Sequence, residues 1–133
     1  MTTMGQRPPG SLELAYLGDT IYDLYVRLRL VSQGGKMKDI HMRAVKLVCA
    51  SAQSAALRRI EPMLTGPEAD VVRRARNAKQ SPPKNADPAE YHRATSLEAL
   101  IGHLFLSGQN VRMEEIITAA LNAPEPGKTE TAE

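Results

Sequence analysis

Apolar positions recur along this chain at three- and four-residue steps, the spacing that gathers them on one side of a helix. Leu14, Leu17, Ile21, Leu24, Tyr25 and Leu28 predict a first helix over about 12–33, stopped by Gly34-Gly35. Ile40, Ala44, Leu47 and Val48 predict a second over about 37–48. An Ala-rich third helix, capped by Ser51, is expected to run to about 60 and close near Pro62. Thr65-Gly66-Pro67-Glu68 has the form of a capping box with proline in the first turn, and opens a basic helix to about 78. The stretch Gln80-Ser81-Pro82-Pro83-Lys84-Asn85 resists helix, because proline lacks an N–H and restricts the residue before it. Asp87-Pro88-Ala89-Glu90 is a second N-terminal signature, leading a helix to about 107 with a break expected near Ala94. Asn110 is expected to cap a last helix to about 122. No stretch alternates with period two, so the predicted fold class is all-α.

At 133 residues, a single domain is expected over 12–122, between a flexible N-terminus (1–11) and a disordered tail (123–133). Its core must be aliphatic, since the chain has four Tyr, one Phe and no Trp. No apolar run approaches the roughly 18 residues of a membrane span, so no membrane partner is expected. The opening MTTMGQRPPGS lacks a charged-then-apolar leader pattern, which makes the cytoplasm the expected location. Cys49 is the sole cysteine, which excludes a disulfide framework and a cysteine-rich zinc site. Within LVCASA it reads as a small buried hydrophobe. His41, His92 and His103 are too scattered for a histidine-built metal site; the latter two read as surface or core residues.

Charge changes this picture, because a net +2 conceals segregation. Residues 27–84 hold 13 Lys and Arg against 4 acids, whereas residues 85–133 hold 3 bases against 8 acids. That distribution suits a surface that attracts polyanions beside a region with carboxylates to spare, although solvated helix faces would give the same count.

Two acids keep unusual company. Asp19 follows Gly18 within an apolar helix, and Glu98 lies among Leu97, Ala99, Leu100 and Ile101, ahead of Gly102. Glycine inside a helix costs about 1 kcal/mol relative to alanine, so each predicts a close approach of two backbones. If the two helices cross there, Asp19 and Glu98 face each other in a partly buried cleft; otherwise they are two unrelated exposed acids. A close pair of desolvated carboxylates needs a cation, and hard oxygen ligands favour Mg²⁺, with Mn²⁺ able to substitute.

LAYLGDTIYDLYVR (14–27) resembles the signature segment of the ribonuclease III endonuclease domain, and SLEALIGHLFLSG (96–108) resembles that domain's second acidic helix. HMRAVKLVCASAQSAAL (41–57), VVRRARNAK (71–79) and PKNAD (83–87) are similar to the mini-ribonuclease III branch, which has the catalytic domain without a double-stranded-RNA-binding domain. The resemblance implies that 12–122 is a helical catalytic domain working as a homodimer, with two sites that cut opposite strands of double-stranded RNA. It implies that Asp19 and Glu98 are catalytic, metal-holding carboxylates. It further implies maturation of the large-subunit (23S) ribosomal RNA precursor, with a ribosomal protein as a possible assistant. Longer ribonucleases III carry further acids seven residues before the position of Asp19 and three before that of Glu98. Here those places hold Leu12 and Thr95, as in the mini branch, which implies a reduced metal shell. Thr95 and Asp23, each one turn from an acid, are candidates for its outer layer; Asp23 can equally face solvent or pair with Arg27.

A-form RNA is gripped through phosphates and 2′-hydroxyls, which calls for Lys, Arg and Asn and little aromatic stacking. Arg73, Arg74, Arg76, Asn77 and Lys79 follow the stripe Val71, Val72, Ala75, Ala78, and Lys84 and Asn85 occupy the proline-stiffened loop. These seven are the RNA-binding candidates; His41 and Arg43 can also approach the substrate, although His41 reads first as a structural residue. The expected function is Mg²⁺-dependent cleavage of double-stranded RNA. The alternative is a catalytically silent RNA- or ribosome-binding module of the same fold, motivated by the missing acids at Leu12 and Thr95. A helical protein–protein adaptor is a third reading.

Overall fold

The computed structural model describes residues 7–122, so the first six residues of the expected flexible N-terminus and the whole expected tail (123–133) lie outside the described residues. Six helices follow in order: α1 (Ser11–Gln33), α2 (Met37–Val48), α3 (Ala50–Ile60), α4 (Gly66–Arg76), α5 (Pro88–Leu106) and α6 (Asn110–Leu121). No strand occurs among the described residues, and no described helix is long and apolar enough to cross a membrane. The all-α expectation holds.

Local chemistry sets most of the boundaries. At Gly34, φ of +84° turns the chain out of α1 while the Gly34 N–H donates to the Leu30 and Val31 carbonyls. Before α4, the Thr65 hydroxyl accepts from Glu68 N (3.3 Å) and the Glu68 carboxylate accepts from Thr65 N (2.9 Å), completing the predicted capping box. The Asp87 carboxylate accepts from Ala89 N and Glu90 N at the start of α5.

Elsewhere the structure corrects the local expectations. Cys49, and not Ser51, is the N-cap of α3, in extended conformation (φ −67°, ψ 161°) at the one-residue break after α2. The break turns its thiol outward, so Cys49 is exposed and 3.4 Å from the Ser51 hydroxyl instead of buried. Gln109 occupies the cap position of α6, with Asn110 its first helical residue. No break interrupts α5 near Ala94, because the Thr95 and Ser96 hydroxyls donate back to the Tyr91 and His92 carbonyls and stay within the helix.

α5 is the central element. Its residues are buried on every side, which is what a helix apolar all round requires, and α1, α3, α4 and α6 pack around it. Leu97, Leu100, Ile101 and Leu104 meet Tyr22, Val26 and Leu30 of α1, Leu57 and Ile60 of α3, and Ile116 and Ile117 of α6 in one core. Each such fully buried aliphatic side chain contributes roughly 1.5–3 kcal/mol. A smaller cluster of Ala15, Val71, Ala75 and Ala99 lets α1, α4 and α5 approach closely.

The core face of α1 is therefore Ala15, Gly18, Tyr22, Val26 and Leu30. Leu24 and Leu28, which the periodicity placed in the predicted stripe, are 53% and 54% exposed. α1 is apolar on two opposite sides, and only packing against α5 selects one of them. One partly buried ion pair ties α6 to α4: Arg112 donates Nε and Nη2 to the two Glu68 oxygens (both 2.8 Å) and Nη2 again to the Met63 carbonyl. Arg29 and Arg59 donate to the Leu121 and Ala120 carbonyls at the C-terminus of α6, so both serve the fold.

Candidate active site

α1 and α5 cross where the two helix-interior glycines lie. A Cβ on Gly18 would fall 1.7 Å from the Glu98 carbonyl oxygen, and one on Gly102 would fall 2.1 Å from that of Leu14. Position 14 meets 102 and position 18 meets 98, so the helices run antiparallel. The contact puts Asp19, the residue after Gly18, beside Glu98. Both line one cleft of about 510 Å³.

The acids differ in environment. Asp19 is exposed, whereas Glu98 is half-buried at the crossing. Burial first, and the Asp19 charge second, push the Glu98 carboxyl up to about 8; an amide hydrogen bond from Gln53 works in the opposite direction. That bond runs from Gln53 Nε2 to Glu98 Oε2 (3.2 Å), with Nε2 also donating to the Val48 carbonyl (2.9 Å). Gln53 is 2% exposed, and its Oε1 is buried with no hydrogen-bond partner. An orphaned buried acceptor costs about 1–3 kcal/mol.

The opposite wall comes from the linker between α4 and α5, through Lys79, Gln80 and Ser81. Thr95, one turn before Glu98, has its hydroxyl 2.8 Å from Gln80 Oε1 and 3.0 Å from the Tyr91 carbonyl, two acceptors that share its single proton. Gln80 Nε2 is 3.0 Å from His92 Nδ1, which lies 3.1 Å from the Arg76 carbonyl. These bonds moor the linker to α5 and fix Lys79 at the cleft.

The predicted residues separate accordingly. The structure brings together Asp19, Glu98, Thr95 and Lys79 in the cleft. Leu12 also lines it, so both positions where longer ribonucleases III carry extra acids face the cleft without a charge. Asp23 turns to Arg27, with a carboxylate oxygen 3.1 Å from Nε, and is not a cleft residue. Arg73 pairs with Asp70 and Arg76 with Glu61, both as exposed ion pairs of small net worth. Arg74, Lys79 and Lys84 carry no ion pair among the described residues, and Lys84 and Asn85 are exposed in the loop. His41 is exposed on α2, and Arg43 bonds to Gln33.

Sequence reasoning missed Gln53, Gln80 and His92. For Gln53 a signal existed: it leads the stripe Gln53, Ala56, Leu57, Ile60, where an amide replaces an aliphatic side chain. Gln80 and His92 gave none, because their bond joins a linker to a helix 12 residues on.

An antiparallel helix pair with two converging acids below a basic linker can hold a phosphodiester and a hard cation together. The model of the Ribonuclease III domain family matches residues 12–109, and fold and site together define a ribonuclease III-type endoribonuclease. The crystal structure of a protein from Fusobacterium nucleatum superposes with a TM-score of 0.81 at 29% identity, covering 89% of this chain and 98% of that one. Mini-ribonuclease 3 of Symbiobacterium thermophilum is 49% identical over 123 residues, or 91% of this chain and 93% of that protein. Mini-ribonuclease 3 of a Thermoanaerobacter species is 36% identical, covering 94% of this chain and 89% of its own length. The chain belongs to the mini-ribonuclease 3 branch of the ribonuclease III family.

Proposed function

We propose that this endoribonuclease cleaves double-stranded RNA with Mg²⁺, as a homodimer, and that its substrate is the precursor of the large-subunit (23S) ribosomal RNA. The observation that carries the reading is the Asp19–Glu98 pair at a cleft walled by Lys79. A carboxyl held up to about 8 by burial and by its acidic neighbour is a site that a cation relieves. The donors at the cleft are the carboxylate oxygens of Asp19 and Glu98, hard ligands that suit an ion which binds through few carboxylates and keeps its waters, as Mg²⁺ does. When bound, such an ion supplies Lewis acidity and offsets the charge that develops as a phosphodiester is hydrolysed. Asp19 and Glu98 would hold it, with Thr95 beside them; Asp23, which does not line the cleft and pairs with Arg27 at the surface, would act on it only as a charge one turn from Asp19.

Arg74, Lys79, Lys84 and Asn85 supply phosphate and 2′-hydroxyl contacts suited to an A-form duplex. Arg73, Arg76 and Asn77 join them at the same end of α4, the two arginines after releasing weak surface pairs. Product strands would keep 5′-phosphate and 3′-hydroxyl ends, as the mini branch implies. Homodimer formation is supported by the exposed apolar side of α1, which includes Leu24, Leu28 and Val31. The precursor, an assisting ribosomal protein and a cytoplasmic site of action rest on the resemblance to the mini branch.

Incubation with long duplex RNA and Mg²⁺ tests the reading. Discrete cuts that vanish on chelation are expected. Asp19→Asn and Glu98→Gln should each lower turnover by roughly 100-fold or more while duplex binding persists. Binding without cuts by the unaltered protein would leave the silent module, and unaffected turnover in both variants would remove the site. Affinity should fall steeply with salt, as a phosphate-dominated complex does.

A further inference from the structure

The α3 stripe of Gln53, Ala56, Leu57 and Ile60 faces the core, and Gln53 is the member with something to donate. A glutamine amide has two N–H donors on Nε2 and one carbonyl acceptor. Of its two partners here, the Val48 carbonyl can only accept, and Glu98 Oε2 lies on the same side of the amide. Nε2 must therefore face them, and Oε1 is left buried without a partner. An aliphatic residue at this position would avoid that cost, so the amide is retained against the interest of the core.

We infer that Gln53 is a positioning residue of the endonuclease site: anchored on the Val48 carbonyl, its amide holds Glu98 Oε2 from the buried side while the carboxylate remains on the cleft. Glu98 is then fixed twice, its backbone by the contact with Gly18 and its side chain by Gln53. A carboxylate already oriented loses less rotamer freedom when a cation arrives. The Val48 carbonyl belongs to the last turn of α2, so the same amide links the α2–α3 break to the acidic pair on α1 and α5. This inference rests on the proposed role of Glu98 as a holder of the cation.

Gln53→Met keeps length and helix propensity and removes both donors. Calorimetric titration of Mn²⁺ onto the RNA-free protein should show affinity weakened roughly 10–100-fold, as loss of an oriented ligand's support typically does. In cleavage assays at fixed Mg²⁺, kcat should fall by a similar factor while KM for duplex RNA stays within about twofold, a split that general loosening of the fold would not produce. Unchanged Mn²⁺ affinity and kcat in a variant with native circular dichroism would overturn the inference. Glu98→Gln runs in parallel to separate the two levels. If it loses Mn²⁺ binding while Gln53→Met does not, only the role of Gln53 falls. If it binds Mn²⁺ like the unaltered protein, the reading of the site falls and this inference with it. Should Gln53→Met fail to fold, the side-chain amide resonances of Gln53 in the unaltered protein decide: they should shift during a Mg²⁺ titration with the midpoint of binding, and constant resonances would overturn the role.

Discussion

At Glu98 the proton is held to about pH 8, whereas an unperturbed glutamate releases it near 4.5. Between those values the folded, cation-free protein keeps a proton that the unfolded chain has lost. Stability from this group is therefore greatest at low pH and declines as pH rises from about 4.5 to 8. Thermal unfolding with chelator at about pH 5 and about pH 8 should show that decline, and Glu98→Gln should reduce it. An identical slope in the variant would show that Glu98 is not the group responsible. Residue identities told much here: an acid in an apolar helix, next to Gly18 in one case and one turn before Gly102 in the other, picked out Asp19 and Glu98 before any fold was known. Gln53 and Cys49 were read wrongly or passed over, because each is defined by a partner or a break outside its own turn. Gln53 answers to a carboxylate 45 positions away, and Cys49 to the geometry of a one-residue junction.

Among the helices, the α1–α5 crossing decides whether there is a site at all. Gly18→Ala gains about 1 kcal/mol of helix propensity. Against that stands a Cβ only 1.7 Å from backbone that cannot move without shifting α5. Net destabilisation of at least about 1–3 kcal/mol is expected, seen as a lower urea midpoint, together with lost cleavage as Glu98 is displaced. Gly66→Ala is the control, since nothing lies within 4 Å of its Cβ position, and it should leave both unchanged. A tolerated Gly18→Ala would show that the crossing is looser than described. Helix ends were legible wherever capping chemistry is local, as at Thr65-Glu68, Asp87 and Gly34. The expected break at Ala94 was not met, since Thr95 and Ser96 satisfy their hydroxyls within α5 itself.

On the scale of the whole molecule, α1 offers a second apolar side that its own domain does not cover. If that side meets another copy, Leu28→Glu should convert the protein to a monomer in sedimentation while its circular dichroism stays native. A variant that remains dimeric would move the interface elsewhere. α5 contributes little to this surface: of its large apolar residues only Phe105 is prominently exposed. What the chain dictated unaided was the number and extent of its helices, the caps at Thr65, Asp87 and Gly34 and the two acids, because those follow from contacts three or four residues apart. Which side of α1 is core, which arginines serve the fold instead of the solvent, and which buried amide faces Glu98 were settled only by packing. Each of those depends on groups brought together from distant parts of the chain, and no local spacing encodes such a meeting.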